Sequence, residues 1–263
     1  MNSDRKREAK LLYEQAVELH KNHKKEQAIE CIERSIKINK EIDDQPNLAE
    51  TIYYKGIIYH ESGHNIDEAL NYFEEALKLF RKTKDKEGIG KALYNIGWTY
   101  RDKGELDKAL KYTKENLVLQ KEIGNEEKIA WAHVSIGWVN TAQKEYELAE
   151  NQYQQSIAIF KKRNDDKGLA FAQRFQASNW KQKGDNDKAL RIFNDCLTLF
   201  EKLENKWQAA ITLNEIAEIF ENRDEIKKAI ENYKEMLTIC KEIGKEDVVK
   251  NILKHLDKIQ SKD

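Results

Sequence analysis

Alanine returns at Ala28, Ala69, Ala109, Ala149, Ala189 and Ala229, at intervals of 41, 40, 40, 40 and 40 residues. A fixed period of this length means that one small unit has been copied in tandem. Such arrays stack unit on unit and offer a long surface instead of enclosing a reaction. A second small residue stands twelve positions before the alanine, at Ala16, Gly97, Gly137, Ala177 and Ala217. In the second copy the interval from Gly56 to Ala69 is thirteen, and the extra residue falls in the turn Gly63-His64-Asn65-Ile66. Turns run over the surface and tolerate insertion.

Each copy divides into two amphipathic stretches. In the third, Leu93, Ile96, Gly97 and Tyr100 recur at helical spacing, and Leu106, Ala109, Leu110 and Leu117 do so again. Gly104 separates the two, Gly124 closes the second stretch and Gly244 closes the last copy, each as a residue that ends a helix. The single proline, Pro46, stands at a helix start, where a missing N–H costs nothing. No β-branched alternation is long enough for a strand. The pattern predicts helix–turn–helix throughout. A Gly or Ala where two helices cross lets the backbones approach and a large neighbour fill the groove. The large partners are Tyr59, Tyr100, Trp180 and Phe220 after the first small residue, and Phe73, Tyr153, Phe193 and Tyr233 after the alanine.

These positions carry a family resemblance. Leu213, Ile216, Ala217, Phe220, Ala229 and Tyr233 in the last copy, and Ile52, Gly56, Tyr59, Ala69 and Phe73 in the second, match the tetratricopeptide-repeat (TPR) pattern. The array resembles a TPR protein over roughly residues 5–243. Two features depart from the family. The period is 40 residues where ~34 is usual, and Lys121, Lys161 or Lys241 replaces the terminal proline. In this it is similar to the longer repeats of kinesin light chains, spindle-orientation adaptors and bacterial peptide-sensing regulators. The resemblance implies an all-α, right-handed solenoid or superhelix that binds peptides or proteins. Six repeats are expected at about 5–44, 45–84, 85–124, 125–164, 165–204 and 205–244. Residues 245–263 follow as an amphipathic helix (Val248, Val249, Ile252, Leu253, Leu256, Ile259) that caps the exposed stacking face. Docking is the alternative role for that helix.

The formal net charge is −1 over 263 residues, of which 35% are charged, so no global field draws nucleic acid or anionic lipid. No apolar run approaches the ~20 residues of a membrane span, and the N-terminus lacks a signal-peptide core. Cys31, Cys196 and Cys240 are odd in number and widely spaced, which suits buried free thiols in the cytoplasm.

In TPR-like arrays the first helices line the concave side. Trp98 and Trp138 each follow the small glycine, 40 residues apart, and are expected side by side. Tyr13, Tyr53 and Tyr94 make a second ladder, Trp131 and Phe171 a third, and Arg101, Arg174 and Lys181 share the face. Asn95, Ser135 and Asn214 are placed to hydrogen-bond an extended peptide. The candidate peptide- or protein-binding set is Tyr53, Tyr94, Asn95, Trp98, Arg101, Trp131, Trp138, Phe171 and Arg174. Aromatics with arginine are the composition of a binding hot spot. For Trp131 and Phe171, helix-to-helix packing is an equal alternative. For Trp98 and Trp138 binding is favoured, because Ile96, Tyr100, Ile136 and Val139 already fill the core positions around them. The TPR clamp for a terminal carboxylate is absent, since its positions in copies three to five hold Tyr94, Trp98, Ser135, Phe171 and Phe175.

Chemistry finds little footing. His20 and His60 are equivalent and one repeat apart, but no third ligand is spaced for zinc, and the two read as exposed polar residues. His133 reads as a satisfied core histidine. Gly88-Ile89-Gly90-Lys91 lacks the full phosphate loop and a preceding strand. No nucleophile and base converge, so neither an enzyme nor a cofactor is expected. The expected function is a protein-interaction adaptor or scaffold. The alternative is a peptide- or ligand-responsive regulator that switches an outer surface on binding.

Overall fold

The computed structural model describes residues 2–61 and 65–260. Gly63 and His64, and with them the insertion assigned to that turn, lie outside the described residues. All described secondary structure is helical. Two compact units divide the chain, residues 1–125 and 126–263. The first contains α1 (Asn2–Lys21), α2 (Lys25–Glu41), α3 (Gln45–Glu61), α4 (Ile66–Thr83), α5 (Lys86–Asp102) and α6 (Leu106–Ile123). The second contains α7 (Glu126–Ala142), α8 (Tyr146–Lys162), α9 (Asp166–Lys183), α10 (Asn186–Lys202), α11 (Lys206–Asn222), α12 (Ile226–Glu242) and α13 (Glu246–Gln260). Within each unit, consecutive odd and even helices pair closely and each pair stacks on the next, the arrangement of a TPR-like solenoid.

The turns follow from capping chemistry. Asp85 and Asp165 accept the backbone N–H of Gly88 and Gly168 at 2.9 and 2.8 Å, satisfying donors that the first helical turn leaves orphaned. Helices end on a residue in the left-handed region, and this recurs every twenty residues from 84 to 244, at Lys84, Gly104, Gly124, Lys144, Asn164, Gly184, Glu204, Asp224 and Gly244. The 40-residue period is therefore two equal helix-plus-turn halves. Glycine takes this conformation without penalty, whereas a residue with a Cβ does so at a cost of roughly 1 kcal/mol.

The six alanines of the ladder are all fully buried, at 0% exposure. Across from them the first-helix small residue meets the large residue of its partner helix. A Cβ added to Gly56 would stand 2.7 Å from the Phe73 ring, and one on Gly137 would stand 2.8 Å from Tyr153. A second close approach joins successive pairs, Gly88 against Phe80 and Gly168 against Phe160. Beyond these, α13 buries Ile252, Leu256 and Ile259 in a cluster with Leu213, Tyr233 and Met236.

The third pair departs from this scheme. Where α4 buries Phe73, Ala76 and Phe80, and α10 buries Phe193, Cys196 and Phe200, α6 buries Thr113, Asn116 and Gln120. Thr113 Oγ1 donates to the Ala109 carbonyl at 2.7 Å and Gln120 Nε2 to Asn116 Oδ1 at 3.1 Å. Gln120 Oε1 is buried without a partner, and an unsatisfied buried acceptor carries a desolvation cost. Amide hydrogen exchange should therefore find α6 opening more readily than α4, with the slowest-exchanging amides of unit one in the second pair. Equal protection of the two helices would contradict this reading.

Two substitutions probe the packing and the turns by thermal unfolding. Gly168→Val should destabilise by about 1–3 kcal/mol, because its side chain would enter the space of the fully buried Phe160 ring. Lys144→Gly should stabilise by up to about 1 kcal/mol, because it relieves a φ of 63°.

Candidate functional site

In the first unit the odd helices touch along one side, α1 with α3 and α3 with α5. Equivalent positions one repeat apart are thereby brought together. Tyr53 and Asn95 meet through a hydrogen bond from Asn95 Nδ2 to the Tyr53 hydroxyl at 2.6 Å. Tyr53 is buried, with its ring against Phe73 and Phe80, and burial pushes its hydroxyl well above the ordinary tyrosine range. Tyr94 and Trp98 are part-exposed with ring centroids 5.7 Å apart. The Arg101 guanidinium lies 3.5 Å from the centre of the Trp98 ring, a cation–π contact. Asp102 holds that guanidinium from Nε at 2.9 Å and from an Nη at 2.6 Å.

His20 and His60 turn to acids on the following odd helix. His20 stands 3.5 Å from Glu61, and His60 stands 3.4 Å from Asp102. Both histidines are thus part-buried, not exposed as expected from the sequence, because shared register brings an acid of the next odd helix to each.

In the second unit, Trp131 packs edge-on against Phe160 at 5.2 Å and Phe171 at 5.9 Å, and Phe171 packs against Phe200 at 5.3 Å. This chain of rings links α7, α8, α9 and α10, so the packing role is real for Trp131 and Phe171, although both stay part-exposed. Trp138 is also part-exposed, on α7. Ser135 donates to the Trp131 carbonyl at 3.0 Å and Asn214 to Glu218 at 2.6 Å, so both polar groups are engaged within the chain. His133 is buried and bonded to Gln152 at 2.7 Å, the satisfied core histidine expected.

The two cations of α9 behave differently. Lys181 reaches Glu215 at 2.7 Å and Glu218 at 2.5 Å. Burial pushes its ammonium down, but the hydrogen bonds with the two glutamates outweigh this and raise it. Arg174 has no carboxylate within ion-pair distance among the described residues; its guanidinium lies 4.9 Å from the centre of the Phe175 ring, and its Nε is buried without a hydrogen-bond partner. Burial lowers its guanidinium below the ordinary arginine value, against the field of Glu215. Removing a charge from water without a paired partner is costly, which makes Arg174 the least self-satisfied cation of the candidate set.

A family model described as tetratricopeptide repeat matches residues 19–82, 64–117 and 88–162, together more than half of the sequence. The chain belongs to the tetratricopeptide-repeat family. A model described as soluble NSF attachment protein, SNAP, matches residues 139–256. No curated protein matches this TPR chain. Among solved structures, it is similar to the apo form of RapI, with 17% identity and a TM-score of 0.73, over 97% of this chain and 100% of that one. A Rap protein complexed with competence and sporulation factor gives 16% identity and a TM-score of 0.67, over 97% and 75%. A Podosopora anserina kinesin light chain of nearly identical TPR-like repeats gives 16% and 0.66, over 76% and 98%. At these identities the likeness is one of fold.

One feature of this TPR chain is not legible from the repeat pattern. Glu150 of α8, largely buried, accepts from Trp180 Nε1 at 2.8 Å, from Gln176 at 2.9 Å and from Gln154 at 2.9 Å. It ties α9 to α8 by a carboxylate where the pattern provides only a ring. No described helix is long and apolar enough to cross a membrane. No group of three or more His, Cys, Asp or Glu among the described residues is placed to hold a metal ion.

Cys31, Cys196 and Cys240 are free and buried. Burial pushes the Cys196 thiol up to about 12. It also pushes the Tyr13 and Tyr100 hydroxyls up to about 12. A raised folded-state value favours the neutral, protonated form, so the associated stability is complete below the unfolded values of ~8.5 for Cys and ~10 for Tyr. It is lost as pH rises from there toward about 12. Urea midpoints should therefore fall progressively from pH 8.5 upward, and Cys196 should react with a thiol reagent only on unfolding.

Proposed function

We propose that this TPR chain is a protein-interaction adaptor or scaffold that takes a peptide or helix of a partner on the faces of its odd-numbered helices. The contact residues we assign are Tyr94, Asn95, Trp98 and Arg101 in the first unit, with the buried Tyr53 holding Asn95 beneath them, and Trp131, Trp138, Phe171 and Arg174 in the second. The observation that carries the reading is Arg174. A half-buried guanidinium without an acidic partner, beside part-exposed aromatics, is better satisfied by an incoming carbonyl or carboxylate than by solvent. The Trp98–Arg101 stack supplies the same pair of chemistries in the first unit.

Binding of this kind concentrates in a few side chains, with about 2 kcal/mol or more at each hot spot. For a partner captured from native extract and then purified, Trp138→Ala and Arg174→Ala should each weaken binding by about 30-fold while circular dichroism of the free chain still reports the helical fold. Unchanged affinity in both variants, and in Trp98→Ala, would remove the assignment.

A second reading has support from the fold likeness to a Rap protein that was solved with competence and sporulation factor bound. By this reading the chain is a regulator whose outer surface responds to a bound peptide. Solution scattering at peptide saturation separates the two, since a regulator changes its profile and a rigid scaffold keeps it. Three buried thiols fit a reducing, cytoplasmic setting. The net charge of −1 argues against nucleic acid as the partner.

A further inference from the structure

Away from the odd-helix faces, the junction between α10 and α11 breaks the periodic pattern. The residue before the left-handed position is Ile42, Thr83, Ile123, Arg163, Leu203 and Ile243 after α2, α4, α6, α8, α10 and α12, so an aliphatic side chain there is common and the tryptophan is what sets the α10–α11 junction apart. The second residue of the following helix is Glu87, Glu127, Lys167 and Trp207 in α5, α7, α9 and α11. These places lie on turns at the edge of the stack, and they are polar at both positions after α4 and after α8. Only at the α10–α11 junction does the second residue of the helix become a tryptophan, with a leucine four residues before it.

The structure shows what this does. Leu203 is 37% exposed and Trp207 36%, and with Ile243 of the next turn they line an open cavity of about 650 Å³. Lys167, Lys206 and Lys245 stand around it against one acid, Glu204. Lys206 is paired with Glu242 at 2.8 Å. Lys167 and Lys245 make no ion pair among the described residues, and the Lys245 ammonium stands 5.3 Å from the centre of the Trp207 ring. An exposed indole, a leucine and an isoleucine rimmed by two cations without a carboxylate partner form an apolar patch with a polar rim, the anatomy of a contact surface.

The geometry points to a second docking surface at this edge, for an acidic segment of a partner protein that inserts one aliphatic side chain between Leu203, Trp207 and Ile243. Charge complementarity selects the occupant. Lys167 and Lys245 have positive charge to give, and a basic or neutral segment would leave it unanswered. The surface lies wholly within the second unit, and it stands or falls independently of the odd-helix reading.

The test uses the full chain and three synthetic pentapeptides, blocked at both ends: Glu-Glu-Leu-Glu-Glu, Glu-Glu-Ser-Glu-Glu and Lys-Lys-Leu-Lys-Lys. The readout is the Trp207 indole N–H signal in a ¹H–¹⁵N spectrum, one of five such signals, assigned through Trp207→Phe. The acidic leucine peptide should shift that signal saturably. Affinity should fall about tenfold for the serine peptide and at least tenfold in Lys167→Glu with Lys245→Glu, while Trp138→Ala leaves it unchanged. The basic peptide should give no saturable shift. The proposal is overturned if the acidic leucine peptide produces no saturable shift at millimolar concentration, or if the basic peptide binds equally. Retained affinity in the double charge reversal would also overturn it. So would a Trp207 signal that moves with protein concentration alone as sedimentation reports a dimer, since the occupant would then be a second copy.

Discussion

The structure depends on one contact made repeatedly, a residue with little or no side chain on an odd helix set against a large one on the even helix that follows. Gly56 with Phe73 and Gly137 with Tyr153 leave no space for a Cβ without displacing a ring. The contact fixes the distance between paired helices, and the fully buried alanine beside it fixes the other side of the crossing. Once that distance is set, the next pair can be placed only where Phe80 meets Gly88 and Phe160 meets Gly168. Everything on the odd-helix faces inherits its spacing from these crossings.

That inheritance explains how the candidate residues come together. The Asn95–Tyr53 hydrogen bond and the pairs from His20 to Glu61 and from His60 to Asp102 all join residues about one repeat apart. The same register builds a lattice of ion pairs with a constant separation of 36 residues, as in Lys162–Glu126, Lys202–Asp166 and Lys206–Glu242. These are exposed and individually worth little. Several place a lysine at one helix end and an acid at the start of its neighbour, which also suits the helix dipoles. Against this regular background, Arg174 and the Trp207 edge stand out because their cations lie near rings and make no ion pair among the described residues.

The third pair shows the cost of departing from the rule. Thr113, Asn116 and Gln120 keep the volume of a core but bring polar atoms that must find partners on their own helix. Gly97 faces the Thr113 hydroxyl where its counterparts face rings. The pair holds together with less apolar contact, which lowers the free energy needed to open it.

The sequence by itself determined the repeat, the helix pairs, the helix-ending glycines and the burial of the alanine ladder. All of these are local or strictly periodic consequences of side-chain size and turn chemistry. It also marked His133 as a core residue and the three cysteines as buried thiols. Only the tertiary structure decided how each polar side chain on the odd helices is satisfied. Asn95 and Asn214 turned out to be engaged within the chain, Trp131 and Phe171 to share in inter-helix packing, and Glu150 to anchor Trp180. Periodicity says which residues share a face, but a hydrogen bond or ring contact depends on rotamers and on the neighbour one repeat away. That choice is made when the helices pack, and a pattern read along one chain does not contain it.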